Sequence, residues 1–189
     1  MSQPANLAVI VGSLRRASLT RMVAQALIAR APEALAGRIL EIGDLPLYNE
    51  DLEDKTPEPW ARFRREVSQS QAVLFVTPEY NRSIPGCLKN AIDVGSRPSG
   101  KSVWSGLPAG VVSVTPSKLG AFGANHALRQ TFVFLDMPAM QQPEAYISGA
   151  ADLVGAGGEV KNGDTDKFLK TFMERFAAWS GALQGLRKT

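Results

Sequence analysis

The sequence predicts a single doubly wound α/β domain over residues 1–189, a parallel sheet with helices on both faces. Three observations predict it. Apolar strand-like runs alternate with amphipathic segments along the whole chain. The central runs are continuously apolar, as in strands covered on both faces, rather than alternating in character. No internal repeat or low-complexity segment interrupts the order, and 189 residues suffice for one well-buried domain but are short for two.

The first strand is Leu7-Ala8-Val9-Ile10-Val11. After Gly12 and a polar loop, Leu19, Met22, Val23, Ala26 and Leu27 follow the i, i+3, i+4 spacing of an amphipathic helix. Pro32 and Gly37 are read as its close, with a short second strand from Arg38 to Ile42. A polar loop carrying Pro46, Pro57 and Pro59 leads to a helix over Trp60–Ser70, with Trp60, Phe63 and Val67 on one side. The third strand is Ala72–Val76, and a helix follows from about Gly86 to Gly95. The fourth strand spans Leu107–Val114 and the next helix Gly120–Leu135, with a short fifth strand expected near Ala139–Gln141. In the last helix Asp164 or Thr165 is the expected N-cap, and Phe168, Phe172, Phe176, Trp179 and Leu183 form one apolar stripe.

Composition removes several chemistries. One cysteine, Cys87, excludes an intrachain disulfide and any Cys-rich metal centre, and reads as a small buried apolar residue. One histidine, His126, removes most histidine-based metal and triad schemes. The net charge of +3 is not gathered into the dense basic patch that nucleic-acid binding needs, since the basic residues are scattered apart from short pairs such as Arg15–Arg16 and Arg64–Arg65. Attraction of anionic cofactors and substrates accounts for it more simply. No stretch approaches a membrane span, and the short polar Met1–Asn6 segment lacks the form of a signal peptide, so a cytoplasmic address is expected.

In a doubly wound sheet, ligands bind outside the carboxyl ends of the strands. After the first strand, Gly12-Ser13-Leu14-Arg15-Arg16-Ala17-Ser18-Leu19-Thr20 enters a helix. Free backbone N–H groups, the positive end of the helix dipole, three hydroxyls and the Arg15 guanidinium suit a phosphate there. This loop after the first strand carries neither a Gly-x-Gly-x-x-Gly fingerprint nor a Gly-Lys-Ser/Thr run, so a monophosphate fits it better than a dinucleotide or a hydrolysed triphosphate. After the third strand, Thr77-Pro78-Glu79-Tyr80-Asn81-Arg82-Ser83-Ile84-Pro85-Gly86 is stiff, and it offers backbone amides and an aromatic surface to a flat heterocycle. After the fourth, Ser113–Gly123 supplies Thr115 and Ser117, with Gly120 allowing close backbone approach.

Together these loops resemble the NADPH-dependent FMN reductase family, a flavodoxin-like group that includes quinone, ferric and chromate reductases. The resemblance is carried by Gly12-Ser13-x-Arg15-x-x-Ser18, Pro78-Glu79-Tyr80-Asn81 with Ser83-Ile84-Pro85-Gly86, and Leu88-Lys89-Asn90-Ala91-Ile92-Asp93. It implies a five-stranded sheet of order 2-1-3-4-5 and an FMN whose phosphate is held by Ser13, Arg15, Ser18, Leu19 and Thr20. It further implies that Pro78, Glu79, Tyr80 and Asn81 line the isoalloxazine ring, with Thr115 and Ser117 on its other rim. The implied reaction takes hydride from NADH or NADPH through FMN to a small acceptor: a quinone, a ferric complex, chromate or free flavin. Homodimers or homotetramers are the implied assembly. Val94 stands where the family commonly has Trp, which is expected to open the pocket or alter subunit packing. The alternative is an electron-carrier flavodoxin or a flavin redox sensor; carriers are usually strongly acidic, whereas this chain is basic. Arg97 is a candidate catalytic residue, expected to leave its helix before Pro98 and overhang the flavin mouth with Glu79 as partner.

Overall fold

The computed structural model describes residues 3–186. Its strands are β1 (Ala5–Val11), β2 (Leu35–Leu40), β3 (Ala72–Thr77), β4 (Ala109–Val114) and β5 (Ala145–Ile147). The helices are α1 (Leu19–Ile28), α2 (Glu58–Ser68), α3 (Gly86–Gly95), α4 (Phe122–Leu135), α5 (Ala150–Leu153) and α6 (Gly163–Ala182). All strands pair in parallel, in the order β2-β1-β3-β4-β5, which is the flavodoxin-like order.

Successive residues of a strand point to opposite faces, so the uninterrupted apolar runs feed two cores. Ala8 and Ile10 of β1 join Trp60, Phe63 and Val67 of α2, Leu88 and Ile92 of α3, and Leu128 and Phe132 of α4. Leu7, Val9 and Val11 join Val23 and Leu27 of α1 with Leu169, Phe172, Met173 and Phe176 of α6. Trp60, Phe63 and Val67 are wholly buried, each contributing about 1.5–3 kcal/mol against exposure.

Several assignments differ from expectation. β2 begins at Leu35, three residues early, because Gly37 is a strand residue: a Cβ there would stand 3.0 Å from Ile28 of α1. The fifth strand is not at 139–141, where only a parallel bridge between Ala139 and Ala109 forms, but at Ala145–Ile147. α6 is capped by Asn162, whose side chain accepts from the Thr165 N–H at 2.8 Å, rather than by Asp164 or Thr165. Its deepest residues include Leu169 and Met173, while Phe168, Trp179 and Leu183 are half-buried at the edge of the stripe. Val94 opens nothing: it is fully buried, and its carbonyl accepts from Arg64 Nε at 2.8 Å.

Candidate active site

The loops after β1, β3 and β4 leave the same edge of the sheet, because the register pairs Val11 with Val76 and Thr77 with Ser113. The first two are in contact at their roots. Gly12 N–H donates to the Val76 carbonyl at 2.9 Å. A Cβ on Gly12 would lie 3.1 Å from Thr77 Oγ1 and 3.2 Å from Pro78 Cδ, so any larger residue would have to push these side chains back.

Beyond Gly12 the loop is a cradle of donors. Ser18, extended and buried, caps α1 by accepting from the Arg21 N–H at 3.1 Å. The N–H groups of Leu19 and Thr20, in the first turn of α1, have no intrahelical acceptor. Those of Ser13, Leu14 and Arg15 donate to no protein acceptor among the described residues. The stems of Ser13 and Thr20 are buried at 5% and 3% exposure, yet neither hydroxyl is left as a buried orphan and neither bonds within the described protein. Arg15 is exposed and makes no ion pair among the described residues. Backbone donors, hydroxyls and a free guanidinium around one helix end fit a phosphate monoester.

The next loop is a tight turn. Tyr80 and Ser83 exchange two backbone hydrogen bonds of 3.0 Å, and Asn81 (φ 51°) and Arg82 (φ 65°) between them are both left-handed, as a type I′ turn requires. Asn tolerates that conformation; Arg82 adopts it at a cost. Tyr80 is 46% exposed and, with Leu14, Arg15, Pro85, Gly86 and Cys87, lines an open cavity of about 430 Å³ beside the cradle. Burial pushes the Cys87 thiol up, and its Sγ lies 3.6 Å from the Gly12 carbonyl, so it acts as a small packed residue rather than a thiolate. Glu79 is turned inward: Oε2 accepts from the Ala124 N–H at 3.1 Å and Oε1 faces Arg82 at 3.3 Å.

In the third loop Thr115 and Ser117 bond chiefly to one another, their hydroxyls 2.9 Å apart, with the Ser117 N–H on Thr115 Oγ1. Two residues to which the sequence reading gave no role fix this loop from below. Buried Ser113 Oγ donates to the Gly120 carbonyl at 2.6 Å, and Asn125 Nδ2 donates to Ser113 Oγ at 3.3 Å. A serine at the carboxyl end of an otherwise apolar strand was the visible sign. Asn90, also overlooked as a support, clamps the loop before α2: it accepts from Tyr48 N–H and donates to the carbonyls of Leu45 and Pro46. His126, left without a role by sequence, meets Tyr146 Oη at 3.0 Å, and that hydroxyl donates to Glu144 at 2.8 Å. Burial first, and the bond to Glu144 second, push the Tyr146 phenol up to about 12.

Arg97 is not part of this constellation. α3 starts at the loop after β3 and its ten residues carry the chain about 15 Å away before it ends at Gly95. Arg97 stands over the Tyr48 ring at 5.9 Å and lines a separate cavity with Asp93, Phe134 and Asp136. Glu79 faces Arg82 rather than Arg97. Among the described residues, no cluster could hold a metal and no helix is long and apolar enough to cross a membrane.

A parallel 2-1-3-4-5 sheet with a donor-rich loop after its first strand defines a flavodoxin-like protein. The model of the NADPH-dependent FMN reductase family matches residues 5–152, and the chain belongs to that family. A quinone reductase of Pseudomonas putida is 63% identical over 180 residues, covering 95% of this chain and 96% of that one. A 2-hydroxy-1,4-benzoquinone reductase of a Burkholderia species is 42% identical, covering 92% and 94%. The structure of FerB, a flavoenzyme NAD(P)H:(acceptor) oxidoreductase of Paracoccus denitrificans, superposes with a TM-score of 0.90 at 41% identity, covering 94% and 98%. The chain is thus an oxidoreductase with FMN as cofactor and NAD(P)H as electron donor.

Proposed function

We propose that this enzyme reduces quinones, with ferric complexes, chromate and free flavin as further small acceptors. The observation that carries the reading is the donor cradle from Ser13 to Thr20 opening onto the cavity edged by Tyr80. The names of its relatives at 63% and 42% identity support the quinone as acceptor.

Ser13, Arg15, Ser18, Leu19 and Thr20 hold the FMN phosphate, through hydroxyls, the guanidinium and the N–H groups of the α1 end. Pro78, Glu79, Tyr80 and Asn81 form one rim of the ring site, and Thr115 and Ser117 the other. When bound, FMN supplies the two-electron chemistry, taking hydride from the nicotinamide and delivering it to the acceptor. The balance is NAD(P)H, a quinone and one proton giving NAD(P)⁺ and the hydroquinone. The protein's own groups bind and orient; none of the residues at the three loops has to move a proton, and Arg97 has no part at its own subunit's flavin. Exposed Phe134 and Val133 on α4, 91% and 85% accessible, support a homodimer or homotetramer. A cytoplasmic address, where reduced nicotinamides are available, accords with the reaction.

Steady-state rates with NADH and NADPH against benzoquinones, ferric chelates, chromate and free FMN test this reading. One open cavity serving donor and acceptor in turn gives parallel double-reciprocal lines with a quinone. Intersecting lines, or no quinone turnover by FMN-loaded protein, would overturn it.

A further inference from the structure

The geometry points to Glu79 as a positioning residue: by binding the start of α4 and holding Arg82, it sets the gap between the two rims of the flavin ring site. This rests on reading 78–81 and 115–121 as those rims.

α4 has no cap of its own. The residue before it, Ala121, is left-handed at φ 56° and carries no side-chain acceptor. Phe122 N–H reaches the Leu119 carbonyl and Asn125 N–H the Ala121 carbonyl, while Ala124 N–H is served by Glu79 from a loop 45 positions earlier. A carboxylate at this end is also favoured by the helix dipole. The contact is close along its whole front. A Cβ on Gly123 would lie 2.9 Å from the Arg82 carbonyl oxygen and 3.0 Å from Glu79 Oε2, so the turn rests directly on the helix end. Two consecutive non-glycine residues at positive φ, Asn81 and Arg82, persist only where the surroundings over-determine them. Glu79 supplies that restraint on both sides, to Arg82 within the turn and to Ala124 across it. The loop after β4 ends in Gly120 and Ala121, so moving the α4 start moves the second rim.

The test compares wild type, Glu79→Ala and Glu79→Gln, each loaded with FMN. FMN affinity, competition by inorganic phosphate, visible circular dichroism of the bound flavin, and kcat and KM for a benzoquinone are measured. Glu79→Ala should bind FMN at least about tenfold more weakly, with an altered flavin dichroism, while phosphate competes within about twofold of wild type. Glu79→Gln keeps an oxygen for the Ala124 N–H and should recover to within about threefold in affinity. If the alanine variant does not fold, Glu79→Asp, which withdraws the carboxylate from α4, carries the same comparison. Wild-type FMN affinity and dichroism in a merely less stable variant overturns the inference, as does an equal loss for phosphate and FMN. A wild type that takes up no FMN sinks the flavin reading itself, before any variant is compared.

Discussion

Replacing Arg15 by Ala separates the role of the cradle in binding from its role in folding. Arg15 is exposed, pairs with no acid among the described residues and caps nothing. Its loss should leave the stability of the apoprotein within about 0.5 kcal/mol of wild type, as for an ordinary surface change. If Arg15 holds the phosphate as proposed, its loss should cost FMN a charge-assisted contact worth about 1.5–3 kcal/mol, or roughly tenfold to 150-fold in Kd. Ser18 gives the contrasting case, because its Oγ holds the Arg21 N–H at 3.1 Å and the residue is 2% exposed. Ser18→Ala should therefore cost the apoprotein about 1 kcal/mol and weaken FMN as well. Calorimetric titration of both variants with FMN and with riboflavin, which lacks the phosphate, is the assay. Arg15→Ala should leave riboflavin binding unchanged. An equal loss for both ligands, or none for FMN, would refute the phosphate assignment.

Gly95→Ala would place a methyl 2.5 Å from Trp104 Cε2 in the core, and Trp104 is pinned by its bond to the Ile92 carbonyl. It should cost about 1–3 kcal/mol, read as a lower urea midpoint, and an unchanged midpoint would show that the core yields there. For Tyr146, both causes favour the protonated phenol, moving it from 10.0 to about 12. Its contribution to stability is thus intact below pH 10 and is lost as the pH rises toward 12. The phenolate absorbance missing from Tyr146→Phe should titrate above 10.0, and Glu144→Gln should bring it down; a midpoint at 10.0 in wild type contradicts the burial argument. Phe134→Glu charges the most exposed apolar position of α4 and should yield a smaller species by light scattering; an unchanged mass would place any subunit contact elsewhere.

How far the fold could be read depended on whether each element's reasons were local. β1, β3 and α3 were legible because a buried parallel strand must be apolar throughout and because Pro85-Gly86 opens a helix plainly. β5 was not, since Ala145–Ile147 is three residues long and owes its conformation to the β4 ladder, through pairs such as Val112 with Ala145. Gly37 reads as a breaker until Ile28 is seen above it. At the site, the three loops and their polar residues were visible from position alone. The partner of Glu79 was not, because Ala124 contributes only a backbone N–H, which no side-chain pattern announces. The place of Arg97 depended on helix length, since the ten residues of α3 separate it by about 15 Å from the loop that opens the helix.

The contact at Gly12 bears on how this site could be rebuilt elsewhere. The Val11–Val76 pairing and the Gly12 N–H bond to the Val76 carbonyl tie the cradle to the Tyr80 turn through the sheet. The spacing between the two is therefore metred by the ladder, and a slip of one residue would invert every side chain on the displaced strand. A transplant of the 12–20 loop alone would carry donors without their yardstick. The smallest portable unit is a discontinuous pair, β1 with its loop and α1 alongside β3 with its loop and α3.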